Sequence, residues 1–178
     1  MTKEPILETE RLILRPITIE DAEAVFSWTS DWRVSRYMSY PASRDISETI
    51  SWIQSTFNEN AEWIWAFVLK NENRVIGAGS IGEDHYMQGY WGIGYNIHYD
   101  YWHKGYCTEA MKAIIDFAHT QLGVNKICSD HAVDNPRSGK VMEKLGLSFH
   151  HFGECTKLDG SETFKAKYYT MEFDECNT

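Results

Sequence analysis

The chain is short of positive charge. Its 17 Lys and Arg stand against 26 Asp and Glu, a formal net charge of −9 over 178 residues. Phosphate binding needs a basic face, so nucleic acid is not expected as a partner. Acidity of this size suits a cationic partner such as an amine, and it serves solubility equally well. Cysteine is sparse and scattered. Cys107, Cys128, Cys155 and Cys176 form no C-x-x-C pair, which speaks against a metal site or a disulfide framework and for reduced thiols in a cytoplasmic protein. No segment approaches the ~18 apolar residues of a membrane helix, and the opening MTKEPILETE lacks an apolar signal core, so no membrane partner is expected. Low-complexity tracts, linkers and internal repeats are missing. So are a G-x-x-x-x-G-K-[ST] loop and a G-x-G-x-x-G opening a helix, the signatures of the common nucleotide folds.

What is present is ordinary globular composition, 43% hydrophobic and 24% charged, read as one domain over 1–178. Aromatics are plentiful, with 7 Trp and 10 Tyr, enough for a core and for pocket walls. RLILRPI (11–17) alternates like a strand. Thr18 then caps a helix through IEDAEAVFSW, and a second helix is expected after Ser47, with Ile50, Ile53 and Phe57 in helical spacing. EWIWAFVLK (62–70) reads as a strand buried on both faces, NENR (71–74) as a turn, and VIGAGSIG (75–82) as its hairpin partner. YWGIGYNIH (90–98) is a strand whose Gly92 and Gly94 suggest close approach by a ligand, or simple relief of crowding.

The clearest helix runs from about Thr108, with Met111, Ile114, Ile115, Ala118 and Leu122 in one stripe and Gly123 closing it. NKICSDHA (125–132) is a strand. Asn135-Pro136 opens a short helix carrying Val141, Met142 and Leu145, and two strands follow near 148–155 and 164–173. The order β-α-α-β-β-β-α-β-α-β-β predicts an α/β (α+β) fold, a mixed sheet with helices on its faces.

Lys104-Gly105-Tyr106-Cys107-Thr108 joins the glycine-bearing strand to that helix. The first amides of a helix have no intrahelical partner and the dipole is positive there, so such a turn suits an anion. The stretch GYNIHYDYWHKGYCTEAMKAIIDFA resembles the coenzyme A signature of the GNAT N-acetyltransferases, R/Q-x-x-G-x-G/A. Trp102 stands where Arg or Gln is usual, and Cys107 where Gly or Ala is usual. Tyr-Trp followed by Gly-Tyr and Thr-Glu-Ala, the opening ETERLILRPITIEDAEAVFSW and the element NPRSGKVMEKLGL (135–147) are similar to the RimJ/RimL-like branch, the ribosomal-protein N-terminal acetyltransferases and their relatives.

That resemblance implies the GNAT fold, acetyl-CoA as co-substrate with no metal, and transfer of acetyl to a primary amine by direct attack in a ternary complex. The acceptor is a protein N-terminus or a small amine, and the protein a monomer or homodimer. The contrasting reading is a CoA-binding module without transfer activity. The resemblance places the coenzyme on Tyr95, Ile97, His98, His103, Lys104, Gly105, Tyr106, Cys107, Thr108, Asn135, Ser138 and Lys140. Backbone amides near Tyr95 and Ile97 polarise the thioester carbonyl, Asn135 bonds the pantetheine, and Ser138 protonates the departing thiolate. On spacing alone, Asn135 is equally a helix cap and Ser138 a surface residue. For the base, Glu83 at the end of the third strand and Glu154 in the sixth are candidates, each equally readable as a solvated surface carboxylate, with His98, His131 or an ordered water as alternatives. Trp28, Trp32, Tyr37, Met38 and Tyr40 fall where the family builds its acceptor pocket; core packing is the competing account of these rings.

Overall fold

The computed structural model describes residues 4–57 and 62–173; Cys176 lies outside them. Eight strands form one sheet: β1 (Leu7–Glu8), β2 (Leu12–Pro16), β3 (Trp63–Leu69), β4 (Arg74–Glu83), β5 (Trp91–Ile97), β6 (Lys126–Ala132), β7 (Ser148–Thr156) and β8 (Thr163–Glu172). Five helices accompany them: α1 (Ala22–Thr29), α2 (Trp32–Ser35), α3 (Ile46–Ser55), α4 (Tyr106–Leu122) and α5 (Pro136–Lys144). The sheet order is β1-β2-β3-β4-β5-β6-β8-β7. No helix among the described residues is long and apolar enough to cross a membrane.

The patterning decides which strands lie at the centre. β3 (WIWAFVL) is apolar on both faces, and it sits between β2 and β4 with Trp65, Ala66 and Phe67 wholly buried. Its odd-numbered residues Trp65, Phe67 and Leu69 join the core under α4, with Met111, Ile114 and Ala118. Ile64 and Ala66 join the second core, with Val25 and Trp28 of α1 and Ile53 of α3. β7, mostly exposed, is the opposite edge.

The sequence boundaries shift in physically intelligible ways. Asp45, not Ser47, caps α3: its carboxylate accepts from Ser47 N–H at 2.8 Å, so the helix starts at Ile46 and Phe57 lies beyond its end. Thr18 precedes one 3-10 turn, Ile19–Asp21, before α1 begins. Asp21 explains the turn, since it accepts from Thr18 N–H at 2.9 Å and from both terminal nitrogens of Arg15 at 2.7 Å. α4 begins at Tyr106, two residues before its apolar stripe declares it. β1 and α2 are too short for periodicity to reveal.

Six of the seven junctions in the sheet are antiparallel, and one is parallel. β5 and β6 share only Trp91↔Ile127 and Gly92↔Cys128 before they part. That parting positions the site.

Candidate active site

From Gly92 onward β5 stays on β4, with His98 N–H donating to Ile76 O at 2.8 Å. The alternation of an antiparallel ladder then turns the amides of Tyr95 and Ile97 away from β4, into the gap where β6 has departed. Some of the gap's rim is capped from within: Ser129 Oγ donates to Ile93 O at 2.9 Å, and Trp102 Nε1 to Ile97 O at 2.9 Å. The amides keep their open side.

The chain leaves β5 through a 3-10 turn (Tyr99–Tyr101) and reaches α4 through His103 (φ 63°) and Gly105 (φ 80°). Left-handed backbone at Gly105 suits a residue without Cβ. The cap has no side-chain hydrogen bond, and the first intrahelical bond is Glu109 N–H to Gly105 O at 3.0 Å. The amides of Tyr106, Cys107 and Thr108 therefore face outward with the positive end of the dipole behind them.

Arg11 of the loop before β2 braces this turn. Its guanidinium donates to Lys104 O at 2.9 Å, pairs with Glu109 at 2.7 Å and lies 4.3 Å over the Tyr106 ring. Glu109 also accepts from Thr9 Oγ1 at 2.6 Å and Arg11 N–H at 2.8 Å. Burial raises the Glu109 carboxyl, but these bonds outweigh it and hold the group below its ordinary range.

A cavity of about 900 Å³ runs from this turn across the strand gap to α2. Of the residues expected to hold a coenzyme, Tyr95, Ile97, His103, Gly105, Tyr106, Cys107, Thr108, Asn135, Ser138 and Lys140 line it, and so do Trp32, Tyr37 and Met38 from the expected acceptor wall. Arg33, Arg36, Arg137 and Lys144 line it too, against one acid, Asp134. The cavity is basic inside an acidic protein. That contrast suits a phosphorylated ligand.

Other expectations are corrected. His98 does not reach the cavity; its Nδ1 accepts from Asp100 N–H at 3.2 Å, capping the 3-10 turn. The Lys104 ammonium is turned onto the Tyr101 ring, 5.1 Å from its centroid, so only the backbone of that residue serves the turn. Glu83 and Glu154 are exposed and away from the cavity, Glu83 at the closed end of the β4–β5 ladder and Glu154 on the edge strand. Trp28 is 1% exposed and belongs to the core under α1. His131 is buried against Gly139 of α5 with Nδ1 on Ala132 O at 2.8 Å, a packing role. Tyr40 lies behind the wall and hydrogen-bonds Asn96 rather than facing the cavity. Asn135 occupies the N-cap position of α5 but makes no side-chain cap bond, so its amide is left for other partners.

Two residues carry more than sequence reasoning assigned them. Tyr95 Oη donates to Ser138 O at 2.9 Å and lies 3.0 Å from Ser138 Oγ. Burial, with Cys107 adding, pushes the Tyr95 phenol above its ordinary range, so it stays protonated. No spacing rule links positions 95 and 138; the pair forms because β5 and α5 meet. Asn96, one residue on, points to the other face, and its Oδ1 is buried without a hydrogen-bond partner among the described residues. Leaving such an oxygen unpaired costs about 1–3 kcal/mol, a cost that a site for a donor would explain. Cys107 is half-buried in the cavity wall, and desolvation there pushes its thiol up to about 12. The described residues hold no cluster of His, Cys, Asp and Glu able to bind a metal ion.

This arrangement has known counterparts. Residues 11–148 match the family model of the acetyltransferase (GNAT) domain. YoaA of Bacillus subtilis (strain 168), an uncharacterized N-acetyltransferase, is 33% identical over 149 residues, covering 80% of this chain and 82% of YoaA. Among solved structures, a GNAT-family acetyltransferase from Bacillus anthracis superposes with a TM-score of 0.82 at 25% identity, over 94% of this chain and 98% of that one. A spermidine N-acetyltransferase from Vibrio cholerae, solved with CoA and spermine, shares the fold at a TM-score of 0.78 and 17% identity, over 92% and 96% of the two chains. The split sheet, the uncapped turn at Gly105 and these likenesses agree: the chain belongs to the GNAT acetyltransferase family, as an N-acetyltransferase whose acetyl donor is acetyl-CoA.

Proposed function

We propose that the protein acetylates a primary amine by direct attack within a ternary complex, as a relative of the ribosomal-protein N-terminal acetyltransferases. The parting of β5 from β6 carries the reading, because it opens the sheet to both faces at one point. Donor and acceptor can then meet there from opposite sides.

On the α4–α5 side, the amides of Tyr106, Cys107 and Thr108 hold the pyrophosphate, with Gly105 and His103 shaping the turn. Arg137, Lys140 and Lys144 meet the remaining phosphate charge. Asn135 bonds the pantetheine, and the amides of Tyr95 and Ile97 stabilise charge on the thioester oxygen. Ser138 gives the sulfur its proton as it leaves, with the Tyr95 hydroxyl 3.0 Å from its own to hold it in place. An acyl-enzyme is disfavoured: Cys107 is the thiol in the cavity wall, and a group held near 12 is neutral at pH 7.

Trp32, Tyr37 and Met38 form the acceptor's wall, and Arg36 stands beside them on the cavity. A positive rim repels a polycation, so an acceptor with one ammonium and an uncharged or acidic body is favoured, as at a peptide N-terminus. Free thiols at Cys107, Cys128 and Cys155 fit a cytoplasmic setting. The test is initial-rate kinetics with acetyl-CoA against tripeptides and spermidine. Intersecting double-reciprocal lines and faster peptide turnover are expected. Parallel lines would exclude the ternary complex, and spermidine as the better substrate would reverse the acceptor class.

A further inference from the structure

The stretch between α2 and α3, residues 36–45, belongs to no helix or strand, yet it carries Tyr37 and Met38 of the cavity wall. Backbone carbonyls in such a stretch need partners from elsewhere in the fold. Three carbonyls in and beside it find them at the tip of the β7–β8 hairpin. Lys157 Nζ donates to Ser35 O at 3.1 Å and to Tyr40 O at 3.3 Å, and Leu158 N–H donates to Ser39 O at 2.7 Å. Phe164 of the same hairpin meets the Tyr37 ring edge-on, with centroids 5.4 Å apart. The lysine stands 122 and 117 positions along the chain from its two carbonyl partners, so only the fold brings them together.

The tip, TKLDGSE (156–162), is polar, and Leu158 is 84% exposed, but Lys157 is only 8% exposed. A lysine is rarely buried so far without a carboxylate partner. Among the described residues no carboxylate lies within ion-pair distance of it. Asp159, two residues on, is turned onto Ser161, accepting from its N–H at 3.0 Å and its Oγ at 2.7 Å. The ammonium lies over the Phe164 ring instead, 5.9 Å from the centroid. Its burial is thus offset by the wall segment and by the ring that supports Tyr37. Lys157 itself does not line the cavity.

We propose that Lys157 is a positioning residue for the acceptor: its ammonium ties Ser35 to Tyr40 and so sets Tyr37 and Met38 where a bound amine needs them. The assignment rests on the amine-acetylation reading above. Without the ammonium, Ser35 O keeps Met38 N–H at 3.1 Å, and Tyr40 Oη keeps Asn96 Nδ2 at 3.2 Å. The residues between those two anchors gain freedom, and Tyr37 and Met38 are among them. The coenzyme turn and the head of α5 have their own supports in Arg11 and Tyr95, so the effect falls on the amine.

The experiment compares wild type with Lys157→Met, which keeps an apolar stem and removes the donors, and with Phe164→Leu, which keeps the ammonium and removes the ring. Acetyl-CoA is used with tripeptides beginning with Ala, Ser or Met, and with spermidine. Calorimetry reads acetyl-CoA affinity, thermal melts read folding, and hydrogen exchange follows residues 36–45. With the amine that wild type acetylates fastest, Lys157→Met raises the amine KM at least fivefold, with kcat and acetyl-CoA affinity each within about twofold. Exchange over residues 36–45 quickens at least tenfold. Phe164→Leu raises the same KM about threefold. A wild-type amine KM in Lys157→Met overturns the positioning role and leaves the transferase reading standing. So does a raised KM with unchanged exchange, since the segment would then not be what the lysine holds. Loss of stability and of both substrates together would make Lys157 a packing residue and overturn the role as well. A wild type that binds acetyl-CoA yet acetylates none of these amines overturns the transfer reading, and the role of Lys157 with it.

Discussion

Tyr95 on β5 and Ser138 on α5 share a hydrogen bond of 3.0 Å between their hydroxyl oxygens, across the mouth of the split sheet. Because Tyr95 Oη also donates to Ser138 O, the serine proton is the one free to turn toward a sulfur. The two hydroxyls form a short relay. Ser138→Ala is expected to lower kcat by ~10²-fold with acetyl-CoA KM little changed. Tyr95→Phe should slow the same step, and the double variant should be no worse than Ser138→Ala alone. Single-turnover rates decide it; additive losses would separate the two residues.

Gly105, at φ 80°, carries the turn proposed to hold the pyrophosphate. Gly105→Val places a β-branched residue in left-handed backbone, a strain of roughly 1–3 kcal/mol. The nearest obstacle to a Cβ is Arg11 Nη2, at 3.5 Å, so space is not the difficulty. Coenzyme affinity in calorimetry should fall at least tenfold while far-UV circular dichroism stays that of the wild type. Undiminished affinity would remove the turn from the site.

Arg11 acts on the same turn from behind. Arg11→Met removes its side-chain bonds to Lys104 O and Glu109, leaving a carboxylate in the first turn of α4 close to the proposed phosphate site. Acetyl-CoA affinity should drop severalfold, and Arg11→Met with Glu109→Gln should recover part of it by removing the exposed negative charge. A double variant weaker than the single one would contradict this account.

Saturating acetyl-CoA should raise the melting temperature, since a ligand at a hundredfold excess over Kd stabilises the folded state by ~2.7 kcal/mol. ATP or NAD at equal concentration should shift it much less. Equal shifts would mean that the basic cavity selects charge alone.

Asp21 gives a pH dependence with a definite sign. Burial raises its carboxyl, but the Arg15 guanidinium and the Thr18 amide outweigh this and hold it below the ordinary carboxylate range. A depressed folded value contributes stability that is present above the unfolded pKa, ~3.9, and lost as pH falls through the folded value. Asp21→Asn should therefore be less stable than wild type at pH 7, and the difference should shrink below about pH 4. Urea melts across that range test it; a constant difference would assign the loss to packing.

The central strand β3 was legible because continuous apolar residues leave it no solvent face, and α4 because its stripe repeats every three to four residues. The start of α4 was less so: Tyr106 and Cys107 precede the stripe and are held by Gly105 and Arg11, one of them 95 or more positions away in the chain's order. Trp28 is ambiguous in the sequence for a related reason. An aromatic on an amphipathic helix looks alike in sequence whether it faces a core or a pocket, and only the packing of α1 on β3 and β4 separates the two.

By itself the sequence determined the order of the longer elements, the glycine turn at 103–108 that opens α4 and the placement of Asn135 and Ser138 at the head of α5, because these depend on residues close together along the chain. The tertiary structure alone decided what the split sheet brings together. Tyr95 meets Ser138, Asn96 Oδ1 is left without a partner among the described residues, and Glu83 and Glu154 are carried away from the cavity. Those outcomes turn on where β6 leaves β5 after Gly92, and strand separation is set by the packing of both sheet faces rather than by any local run of residues.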